Sequence, residues 1–116
     1  MVSTVATDVM EQIAHHYRFR GDGVPEAVSN AGPEVAALLL EAADRIAASF
    51  GSGTNAVLEV FTDPEDEDDP GTLFVLVPTR LTSDQARPVM ERFWYGWWLS
   101  AARGAHGHLN VDLEFV

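Results

Sequence analysis

The chain has 116 residues, 47% of them hydrophobic, with eighteen acidic side chains against seven arginines, no lysine and a net charge of −11. Such a length carries one core by default, so residues 1–116 are expected to form a single domain. The charge excludes nonspecific nucleic-acid or anionic-membrane binding, which needs clustered basic residues, and the absence of cysteine excludes disulfides and thiolate sites.

The opening residues offer no basic segment followed by a long apolar run, because Asp8, Glu11 and Gln12 interrupt it. A cytoplasmic location is therefore expected. Val5, Val9, Ile13 and His16 recur at helical spacing, and Asp8 with Glu11 has the capping-box pattern, so a helix reaching about Tyr17 is predicted. His16 falls on its apolar side and is expected to be a hydrogen-bonded core or interface residue. From His16 to Arg20 the pattern alternates, with Tyr17 and Phe19 against Arg18 and Arg20, leaving a short strand open there. Arg20-Gly21-Asp22 spells an adhesion tripeptide by chance.

A second helix is predicted from Pro33 to Phe50. Proline suits its first position, Glu34 the positive end of its dipole, and Gly51 its stop. Val35, Leu39, Ala42, Ala43, Ile46 and Phe50 share one face. Two strands follow, about Asn55 to Thr62 and Thr72 to Pro78, joined as an antiparallel hairpin by the acidic stretch Asp63 to Gly71. Leu73 to Val77 is apolar without alternation, which predicts a central strand covered on both faces.

A third helix is predicted from Ser83 to Ala102. Thr82 and Gln85 form a capping box, while Pro88 suggests that the regular helix starts later. It carries all three tryptophans in Phe93-Trp94-Tyr95-Gly96-Trp97-Trp98 and is apolar around more than half its circumference. The final segment, His108 to Val116, alternates Leu109, Val111, Leu113 and Phe115 with His108, Asn110, Asp112 and Glu114, as an edge strand does. The fold class expected is α+β, a two-layer sandwich with a mixed three-stranded sheet (ββαβ core) preceded by two helices, its second and last strands parallel.

No motif carries catalysis. The acidic run lacks the ligand order of a calcium loop, no histidine pair has i, i+4 spacing, and no glycine or serine stands in a phosphate loop or nucleophile elbow. A carboxylate pair of Glu59 with the last strand is separated by two strand spacings, roughly 10 Å. No catalytic residue, metal or cofactor is assigned. The expected function is a non-enzymatic interaction module, regulatory or antitoxin- or immunity-like, binding a basic protein, with a homodimer as its own assembly. Residues 59–116 carry eleven acidic and four basic side chains, against seven and three before them. The expected partner-binding residues are Glu65, Asp66, Glu67, Asp68, Asp69, Trp94, Trp98, Asp112 and Glu114. The alternative is a small ligand- or metal-binding domain with a pocket between the aromatic helix and the sheet.

Overall fold

A computed structural model describes residues 6–68, 71–105 and 109–116 of the chain. Helix α1 (Thr7–His16) leads into strand β1 (Arg18–Arg20), followed by helices α2 (Val24–Ala31) and α3 (Pro33–Phe50). The hairpin strands are β2 (Val57–Phe61) and β3 (Thr72–Thr79). Helix α4 (Ser83–Phe93) continues as a π-helical segment over Trp94–Trp98 and two short helical turns, and β4 (Leu109–Phe115) closes the sheet.

The class is mixed α+β, and the sheet has four strands rather than three. Its order is β1-β2-β3-β4, with β1 parallel to β2, β2 antiparallel to β3, and β3 parallel to β4. The additional strand is the Arg18-Phe19-Arg20 alternation, which pairs with Val57, Leu58 and Glu59. The additional helix, α2, has Pro25 in its first turn and ends at Gly32, whose φ of 96° also starts α3.

Helix starts differ from the sequence expectation in two places. Asp8 lies inside the first turn of α1 and caps nothing; the N-cap is Ala6. In α4 the reciprocal Thr82–Gln85 capping box holds the start at Ser83 despite Pro88. Proline inside the helix forfeits one i→i−4 bond, and the box satisfies two end donors.

The core lies between the helices and one face of the sheet. Leu58, Leu73, Val75, Val77, Leu109 and Val111 point into it, meeting Ile13, Val28, Leu39, Ile46, Met90, Phe93 and Trp98. Tyr17 is buried with them and its hydroxyl donates to the Leu39 carbonyl at 2.7 Å, pinning the start of β1 to α3. Burial, reinforced by Asp44, raises its pKa far above the ordinary tyrosine value. His16, by contrast, is exposed. Strand β3 is central, but buried and half-buried residues alternate along it, so its second face is not fully covered as expected.

Candidate functional site

Strand geometry sends successive side chains to opposite faces. With Leu58, Leu73, Val75 and Val111 in the core, the register places Arg18, Arg20, Val57, Glu59, Phe61, Phe74, Leu76, Pro78, Asn110, Asp112 and Glu114 on the other face. Phe74, Leu76 and Pro78 are only half-buried there, and Asn110 and Asp112 are exposed. This open face divides into two ends with different chemistry.

At the hairpin end, Phe61 and Phe74 meet edge to face, with ring centroids 4.9 Å apart, and Phe61 remains 49% exposed. The acidic loop emerges directly after Phe61. It is turned rather than extended: Glu65 N–H donates to Asp63 Oδ1 at 2.9 Å, Asp68 N–H to Asp66 Oδ1 at 3.0 Å, and Asp66 N–H to the Asp63 carbonyl at 3.1 Å. Such Asx turns fold the loop on its own backbone while Glu65, Asp66, Glu67 and Asp68 stay exposed. Asp69 lies outside the described residues. Gly71 returns the chain to β3 at φ 89°, where an added Cβ would stand 2.6 Å from Val60 Cγ2, so only glycine fits.

At the other end a guanidinium spans the sheet. Arg20, on edge strand β1, donates in a fork to Glu114 on the opposite edge strand at 2.8 and 2.9 Å, and touches Glu59 at 3.4 Å. Sheet twist curls these diagonal corners toward each other. Val57 lies at this end of the face opposite the core and yet is 4% exposed, in a groove of about 450 Å³ that Arg20 and Glu114 also line. The Arg20 hydrogen bond holds the Glu114 carboxyl below its ordinary range, with further attraction from Arg20 and Arg18. His15, His16, Arg18 and Asn55 also line the groove. Glu59 and Glu114 thus share one arginine, and counted with Arg18 the four charges cancel.

The aromatic segment behaves differently from its sequence expectation. Trp98 is 5% exposed and stacks on buried Phe93, centroids 6.3 Å apart and planes 20° from parallel. In this chain it is part of the buried core with Phe93 and not an exposed residue as expected. Trp94 is half-buried, its Nε1 enclosed without a hydrogen-bond partner among the described residues. Trp97 reaches α3, donating to Glu41 Oε1 at 3.2 Å beneath the Arg45 guanidinium. The π-helical segment, in which Leu99 N–H reaches the Trp94 carbonyl, turns these rings onto the core and leaves Tyr95 and Leu99 outside, 76% and 52% exposed.

Of the expected partner-binding residues, the structure brings together Glu65 to Asp68 in one exposed loop and Asp112 with Glu114 on the open face. It does not merge the two groups. Glu114 sits beside Pro78 and the loop precedes Thr72, six residues along β3 and about 20 Å away at strand rise. The Phe61–Phe74 pair was missed; its signal was parity, since Phe61 stands two residues from Glu59 and must share its face. Among the described residues no three His, Asp or Glu side chains converge as a metal site, and no helix is long and apolar enough to cross a membrane. No family model, curated protein or solved structure matches the chain.

Proposed function

We propose that this chain is a non-enzymatic protein-interaction module that engages a protein with a basic surface through the hairpin end of its open sheet face. The observation that carries this is exposed Phe61, packed on half-buried Phe74 and standing beside a loop of consecutive carboxylates. Contiguous negative charge steers a basic partner and speeds encounter, while a desolvated aromatic anchor supplies affinity. An arginine of the partner suits both, pairing with the loop and lying over an aromatic face. A regulatory, antitoxin-like or immunity-like role, in which an acidic domain masks a basic protein, fits this chemistry. The cysteine-free composition fits a reducing compartment such as the cytoplasm.

The test is capture of the partner by the intact chain, followed by kinetics. Neutralising Glu65, Asp66, Glu67, Asp68 and Asp69 should slow association and flatten its salt dependence, whereas Phe61→Ala should mainly speed dissociation. An acidic or neutral contact surface on the partner, or an association rate unchanged at low salt, contradicts the proposal. Thermal stabilisation by a small molecule that binds between the aromatic helix and the sheet would favour the ligand-binding alternative.

A homodimer is a second reading, favoured by Tyr95 and Leu99. Glu91 and Arg92 flank the hollow beside Tyr95, so a two-fold axis through that helix face would set opposite charges together around an apolar centre. Light scattering at high micromolar concentration should then give twice the chain mass, reduced to one by Tyr95→Glu.

A further inference from the structure

Strand β4 is a seven-residue edge, and its backbone is only half used. Val116 N–H donates to the Thr79 carbonyl of β3, and in a strand the backbone groups alternate sides, so residues 110, 112, 114 and 116 face β3. The N–H and C=O groups of Val111, Leu113 and Phe115 therefore point away from the sheet. Nothing in this strand blunts the edge by proline, bulge or lysine, the usual devices. One device is present: Asp112 Oδ1 accepts the outward N–H of Leu113 at 2.8 Å. A carboxylate in that position occupies a donor that an added strand would need, and it sets a negative charge at the edge.

A second copy of this chain is a poor occupant. Antiparallel pairing of two β4 strands in the register of fullest overlap, centred on Asp112, sets that carboxylate against its own copy; like charges directly opposite destabilise a pair. A strand carrying lysine or arginine opposite Asp112 reverses the sign. The cation draws the carboxylate off Leu113 and frees that N–H for pairing, so charge recognition and opening of the edge become one event. On the other side of the strand, half-buried Leu113 and 54%-exposed Phe115 call for apolar residues at the alternate positions.

We infer that β4 is an edge latched by Asp112, which admits an extended basic segment of a partner protein, alternating Lys or Arg with apolar residues, and excludes acidic strands and a second copy. This rests on the interaction-module reading and specifies the partner's form at a different part of the sheet.

The probes are nine-residue peptides alternating Lys with Val, alternating Glu with Val, and the Lys peptide N-methylated along the edge that would meet β4. Binding to the full chain is read by fluorescence anisotropy and amide exchange by NMR. Only the unmethylated Lys peptide should bind, slowing exchange at Val111, Leu113 and Phe115. Asp112→Asn keeps an acceptor for Leu113 without the charge and should weaken that peptide about tenfold or more, the worth of one charge-assisted contact. Asp112→Ala unlatches the edge and should shift the chain toward a larger species in sedimentation, with Tyr95→Glu present to remove association through the aromatic helix. Asp112 is exposed, so both variants should keep the wild-type circular dichroism. Equal binding of Lys and Glu peptides, binding of the methylated peptide, protection elsewhere than β4, or identical behaviour of the two Asp112 variants overturns the inference. An association rate of the captured partner that neutralising the loop leaves unchanged at low salt, with the Lys peptide still bound at β4, would count against the loop's role alone.

Discussion

The two faces of the sheet are built from the same strands and differ in what is asked of them. On the helix side, Leu58, Leu73, Val75 and Val77 are closed over by α2, α3 and α4, and packing there holds the chain together. On the open side, Phe61 is exposed and Phe74 and Leu76 are half-buried apolar residues, while buried Val57 lies in the groove shared with Arg20 and Glu114. An apolar patch left open beside a strong charge is more informative about function than the core is.

Mutations should separate the faces by size of effect. Trp98→Ala and Phe93→Ala, on the covered side, should each cost about 3–5 kcal/mol of stability, read by denaturant unfolding. Phe61→Ala on the open side should cost under about 1 kcal/mol, as half-exposed positions do. Comparable losses at Phe61 and Phe93 would break the distinction. Gly71→Ala should cost about 1–2 kcal/mol, because the left-handed turn feeding the open face tolerates no Cβ. Tyr17→Phe should cost about 1 kcal/mol, the net worth of one buried hydrogen bond to Leu39.

The smallest effect concerns the Arg20–Glu114 bridge and sharpens the comparison within the open face. Glu114 is held below its ordinary value of 4.5, so the folded state binds its proton less readily than the unfolded state. Its contribution is present above that pH and fades as pH falls toward the depressed value. Glu114→Gln should therefore lower stability slightly at neutral pH, by an amount that stays constant above pH 6, and flatten the acid limb between about pH 4.5 and the lowered pKa. Both partners are solvent-accessible, which keeps the effect small.

Much of this architecture could be read from residue patterns. The Pro33–Phe50 helix, the hairpin, the parallel return of the last strand and the Thr82 capping box each rest on local signals that tertiary packing did not override. What escaped was set by non-local geometry. Strand β1 is three residues long, too short for periodicity to decide, and exists because Val57, Leu58 and Glu59 give it an edge to pair with. The apolar run of β3 looks the same whether one or both faces are covered, and only the placement of the helices on one side decides. The tryptophans drew attention as surface anchors by their rarity, yet aromatic bulk is as useful inside. Trp98 went to the core because the π-helical turn carries it there, while Tyr95 and Leu99 were left outside. The acidic loop was legible as a loop; its aromatic neighbour needed the register.

The most direct test of the open face as the contact surface is a photo-crosslinking scan in cells that make this protein, with a photoreactive phenylalanine analogue replacing Phe61, Phe74, Asn110 or Tyr95 in turn. Phe61 and Phe74 should each capture one protein whose crosslinked surface is rich in arginine or lysine, while Tyr95 captures only a second copy of the chain. Crosslinks to a partner from Tyr95 with none from Phe61 or Phe74 would place recognition on the aromatic helix and contradict a role for the open face.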